Sequence, residues 1–268
     1  MPALHILYDY GFKKTVHKAI ARSSSAIGRI GSAIERRFGV KLLKTHVRSR
    51  YGILMRARWH DVTFQYCYHG TYGHALSDLL STTAGDFVFL DIGANQGLYS
   101  VLAAKNPRCS HVLALEPVAE TFDVLNENIS VNGVADRVVA LRAALSNRGG
   151  TAELAFHPSH SGTASLAGKS NFDPDHTETI SLVTIEEVDR HVPESGAIII
   201  KIDVEGHEDV VVAELARSRH LKRVQSIFYE IDEKWNDAAA IRQKLEAMGF
   251  SSFTKLGVGR HYDVLARR

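Results

Sequence analysis

The chain has 268 residues, 45% hydrophobic and 23% charged, with a formal net charge of +2, 6 Pro and 2 Cys. This composition excludes collagen-like, disulfide-framework and fully disordered classes, and it supports one large domain or two small ones with a self-sufficient core. The sequence contains no run near the ~18 consecutive apolar residues of a membrane span and no signal-peptide core, and Cys67 and Cys109 suit a reducing compartment, so the cytosol is the expected location.

The small net charge hides a split. Residues 1–60 hold thirteen Lys and Arg against Asp9 and Glu35, a net +11, which leaves the rest of the chain at −9. Phe12, Val16, Ile20, Ile27, Ile30, Ile34 and Phe38 recur at helical spacing among those bases. Ser23 to Ser25, Gly28 and Gly31 interrupt them, so the pattern predicts two short amphipathic helices. Such a basic head suits docking on anionic lipid at the inner face of a membrane, packing on its own domain, or pairing in a homodimer. Nucleic acid is not an expected partner, because no RNA-binding motif or aromatic-interleaved basic patch follows. Val40 to Tyr72 reads as a small antiparallel flap rich in aromatic residues. Residues 1–73 are therefore expected to form a basic helical extension with a flap, and residues 74–268 the main domain.

After His74, short β-rich runs alternate with helical segments, as an open α/β sheet with helices on both faces requires. Strands are predicted over 87–91, 111–116, 138–145, 151–157, 179–185, 197–204 and 226–231, with a closing pair near Phe253 and at 262–266. Helices are predicted over 97–105, 118–131, near Glu186, over 208–216 and over 238–248. The continuous apolar run Ile198, Ile199, Ile200 marks a strand covered on both faces. Successive parallel strands with the last turned back by a hairpin is the expected arrangement.

The chemistry starts at Asp91-Ile92-Gly93-Ala94-Asn95-Gln96-Gly97, which leaves a predicted strand and enters a predicted helix. Gly93 lets the backbone turn at the sheet edge, Asn95 tolerates a left-handed conformation, and Gly97 lets the helix start close to a ligand. The three-residue spacing between the glycines, with an acid two positions ahead of them, departs from the G-x-G-x-x-G of a pyrophosphate site. It suits S-adenosylmethionine (SAM), which carries an ammonium and a sulfonium and no phosphate. Glu116 ends the next strand, where an α/β nucleotide site offers a carboxylate to both ribose hydroxyls. Tyr99, just past Gly97, fits either a cover over the methionine moiety or helix-face packing.

VFLDIGANQGLYS, LALEP, SGTASL (161–166) and IIIKIDVEGHE (198–208), in this order, resemble the FkbM-family SAM-dependent methyltransferases over about residues 74–268. The resemblance implies a Rossmann-like class I methyltransferase fold with an open, mostly parallel seven-stranded sheet whose last strand is antiparallel. It implies O-methylation of sugar or polyketide-type hydroxyls, and it makes Asp91, Gly93, Ala94, Asn95, Gly97, Glu116 and Pro117 cofactor residues, with Ala143 or Ala144 beside the adenine. Gln96 stands where such sequences commonly have an apolar residue, and His74 near where they often carry Glu.

Asp203, Glu205 and His207 close the apolar strand, and polar groups at a buried strand's carboxyl end are costly unless used. Asp203 is placed toward the methionine end of the cofactor, and Glu205 or His207 toward the acceptor. Any of the three can take the acceptor proton as general base. The alternative is a hydroxyl held on Mg²⁺ by Asp203 and a neighbouring carboxylate. Glu208 reads as a helix cap. No histidine pair at ligand spacing supports zinc, so no metal residue is assigned. The Ser-, Gly-, Asn- and Asp-rich segment Pro158 to Thr177 reads as a loop over the site, which makes His160 and Ser165 substrate-binding candidates. The expected acceptor is a saccharide, glycolipid or related metabolite. N-methylation of a protein or small amine, and a non-catalytic nucleoside-binding scaffold, are the competing readings.

Overall fold

A computed structural model describes residues 44–157, 160–166 and 176–268 and, before these, only Ala26, Ile30 and Arg37. The two basic N-terminal helices expected from the sequence lie outside the described residues. The description opens on an antiparallel pair, β1 (His46–Arg48) and β2 (Leu54–Arg56). Two helices follow, α1 (Val62–His69) and α2 (Ala75–Thr82). The aromatic stretch expected as strand is therefore partly helix. Phe64, Tyr66 and Tyr68 alternate as in a strand, but the ends of the segment decide its conformation. Asp61 caps it by accepting from the Thr63 amide, and Gly70 closes it with φ of 69°. Phe64 and Tyr68, one helical turn apart, then stack at 5.9 Å.

The main sheet is built from β3 (Phe87–Ile92), β4 (Cys109–Leu115), β5 (Val138–Leu141), β10 (Ala197–Ile202), β11 (Val224–Asp232), β12 (Ser252–Leu256) and β13 (His261–Arg267). Its seven strands run in the order β12-β13-β11-β10-β3-β4-β5, and β13 alone is antiparallel to its neighbours. This is the open, mostly parallel sheet expected from the sequence, with the last strand turned back. Helices α3 (Leu98–Lys105) and α4 (Ala119–Val131) lie between the early strands, and α5 (Ile185–Asp189), α6 (Glu208–Leu215) and α7 (Ala238–Ala247) between the later ones.

The core follows from strand alternation. In β3, Val88, Leu90 and Ile92 pack with Ile198, Ile200 and Ile202 of β10 against Val211, Val212 and Leu215 of α6 and Ile241 and Leu245 of α7. Phe87 and Phe89 turn the other way with Ile199, against Phe64, Leu80, Val101 and Leu125 from α1 to α4. Two apolar layers therefore sandwich the sheet, and its central strands are buried on both faces. The strand order reverses between β3 and β10, and in such sheets ligands bind at the carboxyl ends of the strands beside that switch.

A second sheet, of order β6-β9-β7-β8, is inserted between β5 and β10. Its strands are β6 (Ala144–Leu145), β7 (Gly150–His157), β8 (His160–Leu166) and β9 (His176–Val183). Two expectations change here. The single strand predicted over 138–145 breaks at Arg142–Ala143, where the chain leaves one sheet for the other. The segment expected as a loop contains β8, which pairs antiparallel with β7.

Asp61 fastens these parts together. Besides capping α1, its carboxylate accepts from Gln96 Nε2 at 2.6 Å and lies 3.6 Å from the Arg58 guanidinium, all in the buried interior. Asp61→Ala is expected to lower the unfolding free energy by about 2–3 kcal/mol, because it removes a cap and takes from the buried Arg58 and Gln96 one partner each, leaving them Glu120 and Ser161. A urea titration checks this, and a change below about 0.5 kcal/mol would contradict it.

Candidate active site

At the carboxyl ends of β3, β4 and β10 lies an open cleft. One wall is apolar, formed by Ile92, Leu115, Pro117, Ala143, Leu145 and Leu154. The polar groups are Asn95, Glu116, Ser161, Asp203, Glu205 and His207.

The Gly93 turn forms its base. Gly93 has φ of 80° and a side chain there would meet the Asp203 carbonyl oxygen at 1.9 Å, so the turn after β3 and the turn after β10 touch backbone to backbone. Asn95 takes the left-handed conformation expected for it, φ 49°. The space beside Gly97 is filled by Leu125 of α4, whose Cδ1 lies 2.4 Å from where a Cβ would stand. That glycine lets α4 pack closely against the start of α3.

Glu116 is buried at the cleft wall, its Oε2 accepting from the Asn95 amide at 2.9 Å and its Oε1 from the Val118 amide at 3.0 Å. Burial pushes its carboxyl up to about 7 despite these two bonds. Each carboxylate oxygen retains acceptor capacity, which is what a vicinal diol needs.

Asp203 accepts from the Tyr72 hydroxyl at 3.3 Å and pairs with Lys201 at the same distance. Glu205 has φ of 46°, uncommon for a residue with a side chain, and Gly206 follows at 93°. Burial, with the nearby carboxylates of Glu230 and Asp203, raises the Glu205 carboxyl to about 10. The His207 ring lies 3.2 Å from Ser146 Oγ. Glu208 binds back to this turn, taking the Gly206 amide at 2.9 Å and the Val204 amide at 3.2 Å, and it also accepts from Asn236.

Of the residues singled out in the sequence, Gly93, Asn95, Glu116, Pro117, Ala143, Asp203, Glu205 and His207 all line the cleft. Asp91, Ala94, Gly97 and Tyr99 lie outside that lining. Asp91 is sealed behind the turn, accepting from Ser100 Oγ at 2.6 Å. Tyr99 is buried in the apolar layer, its ring 6.1 Å from that of Tyr72. His160 and Ser165 sit on β8, and their side chains lie outside the described residues. Among the described side chains of this strand, that of Ser161 reaches the cleft, its hydroxyl donating to Asn95 Oδ1 at 3.0 Å and accepting from Gln96. Gln96 thus ties the glycine turn to the inserted sheet and to Asp61. His74 stands before α2 against Tyr51. Sequence reading did not single out Tyr72, Ser146, Ser161 or Lys201. A Lys within the otherwise apolar run 198–202 was the available signal for the last of these.

Strand order, a cleft at the switch point and a buried carboxylate at its wall are the features of an α/β nucleotide-binding fold. The methyltransferase FkbM domain matches residues 91–252, and the chain belongs to this family. Membership makes it a methyltransferase and implies SAM as its methyl donor. The chain is 28% identical over 194 residues to the hexuronic acid methyltransferase AglP of Haloferax volcanii, covering 71% of this chain and 74% of that protein. It is 26% identical over 211 residues to methyltransferase sdnD of Sordaria araneosa, covering 69% and 79%. Among solved structures, a putative O-methyltransferase from Klebsiella pneumoniae is 17% identical with a TM-score of 0.43, covering 72% of this chain and 77% of that one.

The cleft fits the donor. Glu116 supplies a buried acceptor pair, the apolar wall suits a purine, and Asp203 gives a negative charge near the Gly93 turn. Among the described residues, no helix is long and apolar enough to cross a membrane.

Proposed function

We propose that this methyltransferase transfers the methyl of SAM to a hydroxyl of a saccharide, glycolipid or related metabolite, and that the cleft at the ends of β3, β4 and β10 is its donor site. The observation that carries this reading is the convergence of Glu116, the Gly93 turn and the Asp203-Glu205-His207 segment on one cleft. The named activity of AglP on a hexuronic acid supports the sugar acceptor.

Methyl transfer from a sulfonium is an in-line displacement that consumes positive charge, so the main contribution of the protein is alignment. When bound, SAM supplies the electrophilic methyl. Glu116 and the apolar wall fix the nucleoside, and Asp203 favours the cationic end. The acceptor proton goes to His207, with Ser146 orienting its ring. Asp203 is already engaged by Lys201 and Tyr72, and Glu205, with its carboxyl raised to about 10, holds its own proton at neutral pH.

One observation favours a second reading in which a hard divalent cation holds the acceptor hydroxyl. Carboxylate oxygens of Asp203, Glu205 and Glu230 lie within 4.8 Å of one another. Incubation of the full chain with methyl-labelled SAM and glycan, lipid-linked glycan, amine or protein acceptors tests both readings. Label on a saccharide hydroxyl is expected, and label on polypeptide or amine alone would overturn the oxygen assignment. Rates unaffected by a strong chelator would remove the cation.

A further inference from the structure

Lys201 interrupts the otherwise apolar strand β10, and the register with β3 makes Asp91 its direct cross-strand partner. Alternation turns both side chains to the face of Phe89 and Ile199, where an unpaired charge is costly. Lys201 is 4% exposed and Asp91 0%. The ammonium donates to the carbonyl oxygen of Gly93 and lies 3.6 Å from the Asp91 carboxylate and 3.3 Å from that of Asp203. Burial alone would push this ammonium down, yet Asp203 and Asp91 together hold it above its ordinary value, so it stays charged. Lys201 therefore bridges the Gly93 turn and the carboxylate of the adjoining turn after β10.

We propose that Lys201 is a positioning residue of the donor site. It locks the Gly93 turn to the Asp203 carboxylate and partners the sealed Asp91, so that the two turns at the base of the cleft hold one geometry. The inference rests on the donor-site reading above.

The test is calorimetry of the full chain with SAM and with S-adenosylhomocysteine. Lys201→Met is expected to weaken the binding of both about tenfold or more, because the Gly93 turn and Asp203 lose their common partner. Lys201→Arg keeps a charged donor toward both and is expected to bind about threefold more tightly than the Met variant or better. The double variant Lys201→Met with Asp203→Asn removes the charge left without its partner, which keeps the test open should the single variant fail to fold, and it is expected to bind about as weakly. Wild-type affinity in either folded Met variant would overturn the proposal, and so would an Arg variant no tighter than Lys201→Met, since loosened packing alone would produce that. No heat from the unaltered chain with either compound would overturn the donor-site reading itself, and this proposal with it.

Discussion

Gly93→Ala is expected to abolish measurable SAM binding and to lower the unfolding free energy by about 3 kcal/mol. The added methyl would stand 1.9 Å from the Asp203 carbonyl oxygen and 3.4 Å from Val204 Cγ1, on a backbone with φ of 80°. The obstacle is main chain, so no rotamer change relieves it. The turn after β3 must move away from the turn after β10, and that movement opens the base of the cleft. Calorimetry with SAM, alongside urea unfolding, separates the two effects. A folded variant that binds SAM within about threefold of the unaltered chain would contradict the placement of this turn in the donor site.

Glu116→Gln is expected to weaken SAM binding about 100-fold, close to the 2.7 kcal/mol that such a factor represents. A carboxylate can take two ribose hydroxyls while still accepting from the Asn95 and Val118 amides, whereas a carboxamide must turn an NH₂ toward one of those amides. The same residue sets a pH dependence. Its folded value of about 7 lies above the 4.5 of an ordinary Glu, chiefly through burial. The bound proton therefore favours the folded apo protein most fully below about 4.5, and that contribution is lost as pH rises through about 7. A ligand that donates hydrogen bonds to the carboxylate prefers the ionised form. SAM affinity is thus expected to fall as pH drops below about 7, with one proton released per ligand bound, and to level off above it. The Gln variant should lose this dependence. An unchanged pH profile in Glu116→Gln would show that another group titrates with the ligand.

Much of the site was legible because its residues sit where local rules act. Gly93 and Asn95 occupy positions that need left-handed backbone, and Glu116 ends the strand after the glycine turn. Asp203, Glu205 and His207 end a strand whose apolar run announces its burial. The sheet was legible for a similar reason, since the alternation of Phe87, Phe89 and Ile199 against Val88, Leu90 and Ile198 fixes two buried faces.

What the sequence hid depends on long-range contact. Tyr72 meets Asp203 across 131 residues of chain, and Ser161 reaches Asn95 only because β8 folds back on β7. Asp91 looked like a ligand group, yet its burial beside Ser100 and Lys201 makes it a support beneath the turn. The helix at Val62–His69 was hidden by an aromatic alternation that imitates a strand, while the information that decides the matter lies in Asp61 and Gly70 at its ends. Asp61 and Gln96 tie that helix and the inserted sheet to the glycine turn, and neither residue carries a local signal of this role.

The most direct measurement is a crystal structure of the full chain with S-adenosylhomocysteine. The ribose hydroxyls are expected on the Glu116 carboxylate, the purine against Pro117, Ala143 and Leu145, and the homocysteine end at the Gly93 turn facing Asp203. A nucleoside bound elsewhere, with Glu116 still facing an empty cleft, would contradict the assignment of the donor site.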